Sequence, residues 1–111
     1  MDAKVRGGVP AFIAERSSDI QRLCEEFNVA RLELFGSTVA GTFDESRSDI
    51  DFLMEFESDF DPRLRLDAYF GFKDSLETVF ERPIDLVFFS AVRNPYLRDE
   101  IEKYRTLLYA A

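Results

Sequence analysis

The chain has 111 residues, 46% of them hydrophobic, and a formal net charge of −8. That suits a single domain, residues 1–111, with a modest core, and it disfavours direct binding to nucleic acid, whose phosphates demand a basic face. With no histidine and one cysteine, Cys24, the chain excludes Ser-His-Asp triads, histidine-ligated zinc, an internal disulfide and cysteine-cluster metal sites.

Taken in order, residues 1–10 are polar and glycine-rich, with Gly7, Gly8 and Pro10, and are expected to form a loosely held arm. A helix is predicted from Ser18, capped by Ser18 with Gln21 completing a capping box; Ile20, Leu23, Cys24 and Phe27 recur at helical spacing, and Asn28 stops it. Ala30 to Phe35 reads as a first strand. A short helix is expected at Ser37, and residues 42–48 as a polar loop. Asp49 to Phe56 alternates cleanly. Ile50, Phe52, Met54 and Phe56 point one way, and Asp49, Asp51, Leu53 and Glu55 the other. Asp61 caps the next helix, with Pro62 in its first turn. Its apolar face reads as Leu66, Tyr69, Phe70, Leu76 and Phe80, and Gly71 in its middle points to a kink or close packing. A third strand, Ile84 to Phe89, follows Pro83. Asn94-Pro95 opens a last helix with the face Leu97, Ile101, Tyr104 and Leu108. The predicted fold class is α/β (α+β), a small mixed sheet flanked by helices.

No apolar run reaches the length of a membrane span, and the first residues lack a signal-peptide pattern. The expected setting is therefore cytoplasmic, with Cys24 a buried thiol. Twelve phenylalanines are many for so small a core, and some are expected to face a partner.

The most telling residues are aspartates at the edges of strand-like runs, where aspartate is a poor former. Asp49 and Asp51 lie two apart, so both carboxylates leave one face. Side by side they repel unless a cation neutralises them. Magnesium takes such oxygen ligands and keeps places for water and substrate phosphates. Asp85, in the run Ile84-Asp85-Leu86-Val87, can join the same face, and three carboxylates can hold two metal ions beside an acceptor hydroxyl. Gly36-Ser37 sits where a strand hands over to a short helix, a setting in which glycine and helix N–H groups admit phosphate. The plainer alternatives are solvated strand-end carboxylates and an ordinary turn. A calcium loop is a weaker competitor, since Asp44, Glu45, Asp49 and Asp51 are acidic enough but lack the EF-hand spacing with its central glycine and final glutamate.

The segment Phe35-Gly36-Ser37-Thr38-Val39-Ala40-Gly41, followed by Ser48-Asp49-Ile50-Asp51-Phe52-Leu53, resembles the nucleotidyltransferase superfamily, whose signature is Gly-Ser, a loop, then Asp-x-Asp. The likeness extends to Ile84-Asp85-Leu86-Val87 and to the stretch from Asn94 to Ala110, and together these are similar to the stand-alone minimal nucleotidyltransferases of MNT type. The resemblance implies a nucleotidyltransferase-like fold, Mg2+, and ATP as substrate. It places Gly36 and Ser37 on the triphosphate and Asp49, Asp51 and Asp85 as metal-binding, catalytic carboxylates. It also implies a HEPN-type toxin as partner, for which members serve as antitoxin, some by moving AMP to a tyrosine, in a hetero-oligomer or in passing. Many members carry arginine where this chain has Ala40, which removes one phosphate contact; Arg47 is the nearby cation. A non-catalytic module that masks a toxin by contact is the competing expectation.

Overall fold

The computed structural model describes residues 9–35 and 49–111. In chain order it contains helices α1 (Ala11–Ala14) and α2 (Ser17–Glu26), strands β1 (Val29–Leu34) and β2 (Ile50–Phe56), helix α3 (Arg65–Phe80), strand β3 (Ile84–Phe88), helix α4 (Pro95–Tyr104) and strand β4 (Thr106–Ala110). Among the described residues the strands form one sheet in the order β3-β2-β1-β4. β1 runs antiparallel to both β2 and β4, while β2 and β3 are parallel, joined across α3. This is the mixed sheet with flanking helices that the alternating pattern predicts.

The sheet's two faces differ because strand side chains alternate. Ile50, Phe52, Met54 and Phe56 of β2 join Leu32 and Leu34 of β1 and Ile84 and Leu86 of β3 in the main core. Ile20, Leu23 and Cys24 of α2 and Phe72, Leu76 and Phe80 of α3 close over them. A second, smaller cluster lies on the other face, where Leu53, Val92 and Ile101 are buried with Phe35, Val87 and Phe89 packed against them.

Local signals hold in several places. Asn28 ends α2 with φ 60°, a left-handed conformation that asparagine tolerates. Asn94 caps α4, its side-chain oxygen accepting from the N–H groups of Tyr96 (2.8 Å) and Leu97 (3.3 Å). Asp61 accepts from the Arg63 N–H at 2.9 Å, although residues Pro62–Leu64 form a 3-10 turn and the α-helix proper starts at Arg65. Gly71 is a point of close packing, since a Cβ there would meet Cε1 of Phe27 at 2.8 Å.

Of the expected arm, residues 1–8 lie outside the described residues, and Val9 packs on the core. Three expectations are corrected. Ser18 is not a cap. α1 runs almost directly into α2, the Arg16 carbonyl accepts from Ile20 N–H at 2.9 Å, and Gln21 reaches Glu25 instead. On α3 the buried face is Phe72, Leu76 and Phe80, while Leu66 and Phe70 are exposed. At 3.6 residues per turn these two sit roughly 80° and 120° away from Leu76. Finally, Leu108 belongs to a strand, not to the last helix. The backbone extends at Arg105 (ψ 137°), and residues 106–110 pair with β1.

Candidate active site

The parallel pairing of β2 with β3 sets Asp51 directly opposite Asp85, with Ile50 against Ile84 and Leu53 against Val87. Opposed residues on neighbouring strands share a face, and the strands are about 4.8 Å apart. The face is the one turned away from α2 and α3, because Ile50, Phe52, Ile84 and Leu86 occupy the other. Asp49 lies one residue before β2 and is exposed; Asp51 is half-buried and Asp85 exposed. Alternation puts Asp49 on the side of Asp51. Immediately beyond the pair, Leu53 at 1% exposure begins the smaller apolar cluster, so the carboxylates stand at the wet margin of a dry floor.

β1 delivers its last residue to the same end of the sheet. The Phe35 N–H donates to the Asp51 carbonyl at 3.1 Å. The chain therefore leaves β1 beside the aspartates and returns into them at Asp49. Gly36 and Ser37, the short helix expected at Ser37, Ala40, the loop 42–48 and Arg47 lie outside the described residues.

One element of this face was missed by sequence reasoning. Glu33 on β1 is opposite Leu53 and is the buried charged residue among those described, at 4% exposure. Arg105, at the end of α4, donates to it twice, Nη2 to Oε1 at 2.6 Å and Nε to Oε2 at 3.1 Å, and Arg31 adds a 3.3 Å bond. Both Arg105 and Arg98 stand over the Phe89 ring, 4.3 and 4.4 Å from its centroid. Burial pushes the Glu33 carboxyl up, but the two guanidinium groups outweigh it and hold the acid below its ordinary range. The available signal was a glutamate inside an apolar strand run, Leu32-Glu33-Leu34-Phe35, which demands a buried cation.

In donor chemistry, Asp49, Asp51 and Asp85 suit a hard divalent cation, being oxygen-only and anionic. Among the described residues, no group of three or more His, Cys, Asp or Glu side chains is gathered closely enough to stand as a formed metal centre. The backbone thus brings Asp51 and Asp85 together in register and Asp49 alongside.

This is an α+β fold with paired acids at the mouth of a mixed sheet. The nucleotidyltransferase domain matches residues 19–108, and the chain belongs to that family. Among solved structures it is similar to a protein described as a minimal nucleotidyltransferase, with 26% identity over 84% of this chain and 89% of that one, at a TM-score of 0.65. A toxin–antitoxin complex with AMP-PNP aligns at 21% identity, covering 86% and 73% of the two chains, with a TM-score of 0.62. A complex of MNT antitoxin with tri-AMPylated HEPN toxin from Shewanella oneidensis aligns at 18% identity over 88% and 72%, with a TM-score of 0.58. The last two share the fold. No curated protein matches the sequence. Among the described residues no helix is long and apolar enough to cross a membrane.

Proposed function

We propose that this protein is a magnesium-dependent nucleotidyltransferase that moves AMP from ATP to a hydroxyl, a tyrosine's, on a HEPN-type toxin in the cytoplasm and so acts as its antitoxin. The observation that carries the reading is the register of Asp51 against Asp85, with Asp49 alongside and the end of β1 bonded to Asp51. It gathers acids from two parallel strands at the place where the chain enters and leaves the Gly36-Ser37 segment. Family membership and the likeness to toxin–antitoxin structures, one with AMP-PNP and one with an AMPylated toxin, support the substrate and the partner.

Asp49 and Asp51 would hold the metal, with Asp85 as the third carboxylate. Bound there, magnesium would neutralise triphosphate charge and fix its geometry. Asp85, on the neighbouring strand, accepts the acceptor hydroxyl's proton. The hydroxyl oxygen forms a bond to the α-phosphorus in line, the bond from that phosphorus to the bridging oxygen breaks, and pyrophosphate leaves with the electron pair. Gly36 and Ser37 bind the triphosphate. Leu53 and its apolar neighbours keep water from the floor of the site, so catalysis rests on positioning and electrostatics.

Incubation with labelled ATP, magnesium and a HEPN-type toxin tests the proposal. The label is expected on the toxin and should be lost in the Asp85→Ala variant. Label on small molecules alone, or none, would refute it. The second reading, a mask acting by contact, is favoured by exposed Leu66 (67%) and Phe70 (53%), and it requires protection without nucleotide.

A further inference from the structure

Far from the aspartates, the molecule carries a second concavity. Phe56 and Phe88 are the last residues of β2 and β3, and with Leu66, Tyr69 and Phe70 of α3 they line an open groove of about 810 Å3. Its separation from Asp51 along β2 is five residues, or roughly 16 Å of strand. Leu66 is 67% and Phe70 53% exposed. Apolar surface of this kind beside a well-formed core marks an interaction site more often than a packing defect.

The groove also has a defined polarity. Arg65, the first residue of α3, lines it, and its Nε is enclosed without a hydrogen-bond partner. An enclosed donor left unmet costs about 1–3 kcal/mol, so an acceptor is wanted there. The acid that lines the same groove, Glu55, is already engaged. It accepts from the Ser90 N–H at 2.7 Å and the Ser90 hydroxyl at 3.3 Å. Asp61 nearby in sequence is taken by Arg63, at 2.9 Å. On a chain of net charge −8, this is an apolar trough with a cation seeking an acid.

We propose that this groove is the docking site for an apolar segment of the partner protein that carries a carboxylate opposite Arg65. The inference rests on the reading that the protein acts on a protein partner, and it assigns that partner's anchor. A second copy of the chain is a poorer occupant: two chains of net −8 repel, and the groove acid each would bring is held by its own Ser90. A segment of a partner supplies both the apolar side chains that cover Leu66 and Phe70 and the missing acceptor, in the manner of a helix or strand laid into a groove. Docking here leaves the aspartate end open and tethers the acceptor hydroxyl near it, raising its effective concentration.

The test measures affinity of the complete chain for a purified HEPN-type toxin by calorimetry, using wild type, Leu66→Glu/Phe70→Glu, and Arg65→Glu. Leu66 and Phe70 are exposed, and the enclosed Nε of half-buried Arg65 holds no hydrogen bond to lose, so thermal melts should stay within a few degrees of wild type. Arg65→Gln serves as the milder variant if charge reversal disturbs the helix start. The double variant is expected to bind at least about a hundredfold more weakly and Arg65→Glu at least about tenfold, as central anchors do. A wild-type complex that every variant leaves intact overturns the groove assignment alone. Labelling of the toxin without measurable binding overturns this site alone, and failure of the wild-type chain both to bind and to label the toxin overturns the partner reading as well. A dimer of the isolated chain that dissolves in Leu66→Glu/Phe70→Glu assigns the groove to a second copy and overturns the proposal.

Discussion

The two faces of the sheet are made by the same strands and obey opposite rules. Toward α2 and α3, every inward residue of β2 is apolar, from Ile50 through Phe56, and each is buried. Toward α4, the same strand offers Asp51, Leu53 and Glu55, and the neighbouring β1 offers Glu33, buried among cations. The first face spends its residues on cohesion. The second mixes a small apolar cluster with aspartates at the end of the sheet and with one buried glutamate that is held by its arginine partners. The main core and the aspartates are thus separated by the two-residue period of a strand, so the aspartates can be altered without disturbing that core.

The largest effect on the cohesive face is expected from Phe52→Ala. Phe52 is fully buried, in ring contact with Phe80 at 6.1 Å between centroids. Its truncation leaves a cavity and should cost about 3–5 kcal/mol in chemical denaturation. A loss below 1 kcal/mol would show that the main core is not where the structure places it.

On the other face, Arg105→Ala strips Glu33 of its bidentate partner while leaving the acid buried. About 2 kcal/mol should be lost, and lysine at the same position should recover only part of it, since it cannot reproduce the two-pronged bond. The same pair sets a pH dependence. The carboxyl of Glu33 is held below its ordinary value of 4.5, so the folded state binds that proton less readily than the unfolded chain. The stabilisation is fully present above about pH 4.5, and it is lost as pH falls through the lowered value. Denaturation midpoints measured from pH 6 downward should fall in wild type, and Glu33→Gln should flatten that fall. An unchanged slope would remove Glu33 from the titration.

The smallest effect belongs to neither face. Glu81 ends α3 in a left-handed conformation, φ 54°, which costs a residue with a Cβ. Glu81→Gly should stabilise by about 0.5–1 kcal/mol in thermal denaturation. A destabilised variant would contradict this reading of the cap.

These elements also show what the sequence makes legible. Alternation in β2 assigned both faces residue by residue, since a strand's period is local. The caps Asn94 and Asp61 and the stop at Asn28 were equally local. What escaped notice depended on distant partners. Thr106–Ala110 continues the helical spacing of α4, and only pairing with β1, some 75 residues away, makes it a strand. The one-turn α1 is too short to show a period, and it made the Ser18 cap unnecessary. Leu66 and Phe70 are apolar at helical spacing, which distinguishes a stripe but not which side of it the sheet will cover. For the site, the Asp-x-Asp spacing gave the shared face of Asp49 and Asp51. Asp85 was joined to them by resemblance, because the register of β3 is encoded by no local pattern, and Glu33 with Arg105 required a contact between β1 and the end of α4.

The division between a cohesive and a chemical face is tested most directly by the Asp49→Ala/Asp51→Ala double variant. It should be added in substoichiometric amount with ATP and magnesium to a HEPN-type toxin, with the toxin's intact mass and activity read together. Wild type should silence the toxin and add mass in AMP steps. The double variant should leave toxin mass and activity unchanged while unfolding close to the wild-type denaturant concentration, because both residues lie outside the main core. Full protection by the double variant at low dose, with no mass change on the toxin, would contradict the proposal and leave contact masking as the better explanation.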